Sequence, residues 1–161
     1  MKFSYACAAI AAGIVLAAGP ASADAGHVHG GPKASSAMGG PGKAADVKRV
    51  VRIEARDRDY NVRQVQVRPG ETVRFIIVNK SSIRHELGIA SRQEHVAHRE
   101  MMVKLPDMVH DDDNVVTVEP GQTKELIWRF GTDPNALKDL EFACNIPGHA
   151  EQGMQGTFRV M

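Results

Sequence analysis

The chain has 161 residues and a formal net charge of +1, from 20 basic and 19 acidic side chains. That length holds one domain with some ornament rather than two, and 43% hydrophobic with 24% charged residues excludes a disordered or fibrous chain. Balanced charge and 5% aromatics leave neither the basic field nor the stacking platform that nucleic acid requires, so no nucleic-acid partner is expected.

Lys2 is followed by an apolar run from Tyr5 to Ala18 and then by Gly19-Pro20-Ala21-Ser22-Ala23. A basic start, a short apolar stretch and a small-x-small ending predict a secretory signal peptide over residues 1–23, with Ala25 as a second cleavage choice. The run falls short of the ~20 residues of a membrane helix. The mature chain is therefore expected in the periplasm, without membrane attachment, and the loss of Lys2 leaves 19 charges of each sign. Cys7 leaves with the peptide. Residues 24–46 are rich in Gly, Ala, Ser, Pro and Lys, a composition that buries no core and predicts a flexible, disordered tail.

From Val47 to Met161 the pattern becomes one of short alternating strands. Val51, Ile53 and Ala55 alternate with charged residues, Val65 and Val67 with Gln and Arg, and Val73, Phe75 and Ile77 follow at the same spacing. His85, Leu87 and Ile89 share a face, followed by Val116 with Val118, Leu126 with Trp128, Leu140 with Phe142 and Cys144, and a last strand at 157–160. Arg68-Pro69-Gly70-Glu71 and Glu119-Pro120-Gly121-Gln122 place Pro before Gly, as type II turns require. These features predict an all-β, two-sheet antiparallel sandwich. The polar stretch from Ser91 to Lys104 lacks Gly and Pro and predicts a short helix inserted at one edge.

Without Cys7, Cys144 is a lone thiol in an oxidising compartment. An inert buried cysteine, an intermolecular disulfide and a metal ligand all fit that fact. Its neighbours favour the ligand. Cys144-Asn145-Ile146-Pro147-Gly148-His149-Ala150-Glu151-Gln152-Gly153-Met154 holds Cys-x4-His-x4-Met on one loop, with Pro147-Gly148 and Gly153 permitting sharp turns. His85 opens a strand and points into the sandwich with Leu87 and Ile89, which makes it the candidate fourth ligand. Two imidazoles and a thiolate in a plane, with a weak axial thioether, define a type 1 copper site; zinc prefers a tetrahedral Cys and His set. Ile146, Pro147 and Ala150 flank His149 and are expected to form an apolar rim around it; plain packing of these residues is the competing reading.

The chain resembles the cupredoxins, the family of plastocyanin, azurin, auracyanin and rusticyanin, over residues 47–161, the Cys-x4-His-x4-Met loop being the specific feature. His85-Glu86-Leu87, the Met-containing stretch from Glu94 to His110 and Phe142-Ala143-Cys144-Asn145-Ile146-Pro147-Gly148-His149 are similar to the periplasmic cupredoxins of bacterial copper tolerance. The resemblance implies a Greek-key sandwich, assigns copper to His85, Cys144, His149 and Met154, and makes the exposed edge of His149 the place where a redox partner protein would dock. Many family members have Asn or Ser after the first His ligand, bracing the Cys loop; Glu86 stands there in this chain, which bears on the hydrogen-bond network, the potential and the colour.

Further His and Met residues fit additional copper ions. His27, His29 and Met38 lie in the tail, which could wrap an ion, and cleavage after Ala25 would place an amine beside His27; a solvated linker fits these residues equally. His95 and His98 share one side of the predicted helix with Met101 and Met102, and Met108 and His110 follow before Asp111-Asp112-Asp113. Core packing by the Met residues and a structural bond from His110 to the Asp run are the competing readings. The preferred function is a non-enzymatic, periplasmic copper protein that cycles Cu(I)/Cu(II) and serves copper tolerance, with electron transfer as its chemical means. The alternatives are a soluble electron carrier, which needs neither tail nor helix, and a single-domain cuprous oxidase. Multidomain copper enzymes need extra domains and His clusters that the chain lacks.

Overall fold

A computed structural model describes residues 37–161. The predicted signal peptide and the tail residues His27 and His29 lie outside them. Among the described residues nine strands form two sheets. In the first, β1 (Gly39–Pro41), β7 (Thr123–Phe130), β4 (Thr72–Asn79) and β2 (Arg49–Ala55) lie side by side in that order. In the second the order is β3 (Gln64–Val67), β9 (Gln155–Val160), β8 (Leu140–Ala143), β5 (His85–Ser91) and β6 (Val115–Val118).

Every strand expected from the alternation is present. The pairing is mixed rather than wholly antiparallel, since β2 runs parallel to β4 and β3 parallel to β9. The chain crosses from β2 to β3 in the opposite sheet and returns to β4, and two reversals leave β4 running in the direction of β2. Residues 37–46, assigned by composition to the tail, also join the fold. Gly39 pairs with Phe130 and Pro41 with Trp128, and Met38 is buried. An edge position tolerates Pro and Gly, which is why so strand-poor a composition still adds a strand.

Both Pro-Gly turns close as type II turns. Gly70 and Gly121 each have φ of 75°, and the bonds from Glu71 N to Arg68 O and Gln122 N to Glu119 O measure 3.1 and 2.9 Å. Apolar side chains of both sheets meet in a single core. Phe158 of β9 touches Phe142 of its own sheet at 5.3 Å between ring centroids and crosses to Phe75 and Phe130 at 6.0 and 5.0 Å. Burying such rings contributes about 1.5–3 kcal/mol each, so this contact helps to tie the sheets together.

Strand β5 is buried on both faces because helix α1 (Arg92–Lys104) folds back over its outer side. Ser91 caps the helix: its side chain accepts from the Glu94 N–H, and the Glu94 carboxylate accepts from the Ser91 N–H at 2.8 Å. This reciprocal pair satisfies two donors that a helix start leaves open. Gly88 makes the close approach possible. A Cβ there would lie 3.4 Å from the His95 ring and 3.2 Å from the Asn145 amide. Among the described residues no helix is long and apolar enough to cross a membrane.

Candidate metal site

Successive residues of a strand face opposite ways, and β5 uses this at its first two positions. His85 points into the sandwich and Glu86 toward the helix, so two separate clusters of donor atoms flank one strand.

On the inner side, β5 supplies His85 and the loop between β8 and β9 supplies Cys144 and His149. His85 Nδ1 lies 3.2 Å from His149 Nδ1, and His149 Nδ1 lies 3.3 Å from Cys144 Sγ. One ligand atom from each residue falls within 4.8 Å of the others. Met154 is fully buried in the core, and its backbone closes the loop: its N–H donates to His149 O and its carbonyl accepts from the Cys144 N–H, both at 3.0 Å. Cys144 is a buried free thiol, which leaves no edge for an intermolecular disulfide.

The His85 tautomer follows from its surroundings. Ser81 Oγ can give its single proton to Asn79 Oδ1, 2.9 Å away, and it accepts from the Ile83 N–H. His85 Nε2, at 2.7 Å, is then a donor to that oxygen, which leaves Nδ1 as a bare lone pair facing Cys144 and His149. Asn79 anchors the arrangement through its amide, which donates to Ile83 O and Val118 O at 2.7 and 2.8 Å. Burial and the neighbouring His149 push the His85 pKa down to about 4, so the ring is neutral at pH 7. Burial pushes the Cys144 thiol up to about 12. Two neutral imidazoles and a thiol that a cation would deprotonate form a nitrogen–sulfur donor set suited to copper.

The cysteine loop is braced from the helix. His95 Nε2 lies 3.3 Å from Glu141 O, and Nδ1 lies 3.1 Å from the side-chain amide of Asn145, next to Cys144. Burial lowers the His95 pKa, so the ring is neutral and carries one proton. With that proton donated to Glu141 O, Nδ1 accepts from the amide nitrogen of Asn145, which otherwise has no partner; the orientation of the amide is assigned on this ground. His95 thus serves the cysteine loop and joins neither cluster. Sequence reasoning missed this role, because Gly88, Asn145 and His95 come together only when the helix docks on β5.

On the outer side, the structure brings together Glu86, His98 and His110, two of them among the accessory candidates. Nε2 of His98 and Nε2 of His110 are 3.2 Å apart. Burial pushes the Glu86 carboxyl up to about 7 and the His98 ring down to about 4. His110 also reaches the Asp run as expected, with Nδ1 2.9 Å from Asp112 Oδ2. Met102 is buried on the helix, while Met101 and Met108 are half-buried. The rim at His149 differs in one respect from expectation: Ile146 and Pro147 reach the surface beside the half-buried imidazole, but Ala150 is 3% exposed. The turn from Ile146 to Gly153 tucks its small methyl inward.

A Greek-key sandwich with a buried His/Cys/His set at one end defines a copper protein of the cupredoxin kind. A family model described as copper binding proteins, plastocyanin/azurin family, matches residues 47–161, and the chain belongs to that family. It is 41% identical over 127 residues to the copper-resistant cuproprotein CopI of Vibrio cholerae, covering 77% of this chain and 72% of that one. To the protein of the same name from Rubrivivax gelatinosus it is 39% identical over 149 residues, covering 88% of each. Auracyanin B shares the fold, with a TM-score of 0.61 and 18% identity over 79% of this chain and 99% of that one.

Proposed function

We propose that this chain is an exported, periplasmic copper protein of copper tolerance, with His85, Cys144, His149 and Met154 as its type 1 ligands and one-electron redox cycling as its chemical means. The carrying observation is the His85–Cys144–His149 cluster, fully buried except at one imidazole edge. Relatives named for copper resistance support the tolerance reading, and the apolar leader of residues 1–23 supports export.

Bound there, copper would supply exchange of one electron between its two oxidation states. The chain's own contribution is rigidity. Ser81 holds His85, the Met154 backbone holds the loop, and His95 holds Asn145, so the donors have little freedom to rearrange when charge changes. The half-buried edge of His149 lies in a shallow cleft with Ile83, Pro106, Pro120 and Ile146, a patch suited to brief docking of a redox partner. No substrate-orienting group is assigned, and the function proposed is non-enzymatic.

The test pairs copper content with the visible spectrum, in purified chain and in cells lacking the gene. Strong thiolate-to-copper absorption, recovery from the periplasmic fraction and restored growth on copper by wild type but not by Cys144→Ser are the expected results. A colourless copper-loaded protein would overturn the site, and equal rescue by Cys144→Ser would overturn the redox role.

A further inference from the structure

We propose that Glu86, His98 and His110 form a second, fully buried metal centre for a divalent ion of the copper–zinc type, distinct from the Cys144 cluster. It stands independently of the function proposed above.

The geometry is that of donors awaiting a common ion. Glu86 Oε2 lies 4.0 Å from His98 Nε2 and Oε1 lies 3.8 Å from His110 Nε2, while the two Nε2 atoms are 3.2 Å apart. The carboxylate–imidazole separations are too long for hydrogen bonds, whereas the two Nε2 atoms lie at hydrogen-bond distance, with His98 as the donor while no ion is bound. Two ligands each about 2.0–2.2 Å from a zinc-like ion lie about 3–4 Å from one another, which is the spacing found here.

Burial makes the arrangement costly without an ion. Glu86, His98 and His110 are 0, 3 and 2% exposed. Neither Glu86 carboxylate oxygen has a hydrogen-bond partner. The Thr117 hydroxyl and the Asn145 N–H ease the burial of this carboxyl without reaching hydrogen-bond geometry. A buried carboxylate normally finds a partner cation or coordinates a metal.

The surroundings hold the donors in place. Asp112 Oδ2 is 2.9 Å from His110 Nδ1 and accepts its proton, so Nε2 of His110 presents a lone pair to the cluster. A carboxylate behind a ligating imidazole fixes its tautomer and orients the ring. The backbone of His110 is pinned to β6 by its N–H on Thr117 Oγ1 and its carbonyl on the Thr117 N–H, both at 2.7 Å. His98 rides on α1 behind the Ser91–Glu94 cap. Two imidazoles and one carboxylate make a nitrogen–oxygen set, which suits divalent zinc or copper, with copper bound more tightly.

The test counts ions on the full chain. Wild type, Glu86→Gln and His98→Ala/His110→Ala are equilibrated with excess Cu(II), desalted and assayed for copper, with electron paramagnetic resonance reporting copper that lacks a thiolate. Each variant is expected to hold one ion fewer, to lose that signal and to keep the thiolate band of the Cys144 centre. His27→Ala/His29→Ala in parallel leaves the difference between wild type and Glu86→Gln intact if the ion sits where we place it. Equal counts and equal signals in wild type and both variants overturn the proposal. Should the variants fail to fold, Zn(II) added to wild type is followed by the imidazole nitrogen resonances. Metal-type shifts at His98 and His110 support the centre, and unmoved resonances overturn it.

Discussion

The backbone N–H of Glu86 donates to Cys144 Sγ across 3.4 Å, while the Glu86 side chain turns the other way, toward His98 and His110. One residue therefore borders both clusters through different groups. The contact to sulfur belongs to the backbone and survives any change of side chain at this position other than proline. Glu86→Gln is expected to keep the thiolate-to-copper band within a few nanometres of its wild-type position, whereas Cys144→Ser abolishes it; absorption spectra of the two variants decide.

Met154→Leu removes the thioether but keeps the apolar volume of a fully buried side chain. Copper is expected to remain bound, and its potential to rise, because a lost donor and a drier pocket both disfavour the higher oxidation state. Protein-film voltammetry on both proteins measures the shift.

Ser81→Ala takes away the oxygen that receives the His85 Nε2 proton at 2.7 Å. The ring loses its orienting partner and keeps an unpaired buried donor. Loss of such a partner weakens metal binding by roughly 10–100-fold, to be measured by competition against a copper chelator of known affinity. Ser81→Thr retains the hydroxyl and is expected to restore most of the affinity.

Gly156→Ala would place a Cβ 2.2 Å from the Phe142 ring and 2.7 Å from Arg63 O. Neither the packed ring nor the backbone carbonyl can withdraw cheaply, so overpacking should cost about 1–3 kcal/mol, read by denaturant unfolding of the metal-free protein.

Glu71 links acid stability to the β2–β4 edge. Burial pushes its carboxyl up, but the Arg49 guanidinium, at 3.0 and 3.2 Å, and the Arg68 N–H, at 3.0 Å, outweigh that and hold it below the usual range. A depressed folded-state pKa adds stability at neutral pH that is lost as pH falls through it. Arg49→Ala is therefore expected to lower stability at pH 7 and to flatten its decline in acid, as unfolding at several pH values would show.

The parts legible without coordinates were those written locally in the chain. Period-two alternation marked the strands, Pro-Gly pairs marked the turns, and the polar stretch from Ser91 to Lys104, free of Gly and Pro, marked a helix seen at Arg92–Lys104. Cys144, His149 and Met154 lie on one loop, where ten intervening steps of backbone suffice to gather them. His85 was found because it shares the parity of Leu87 and Ile89.

Long-range packing decided the rest. The parallel pairs depend on which sheet each strand joins, and the β1 edge depends on an open flank of β7, neither of which alternation records. Glu86 read in sequence only as a departure from a family pattern, since alternation predicts a solvated carboxylate on the outer face. Helix α1 covers that face and delivers His98, and the chain after it delivers His110, so three residues separated by 12 positions each become neighbours. Donor groups on one loop are gathered by the short chain between them, whereas donor groups on three elements meet only once the helix has docked on the sheet.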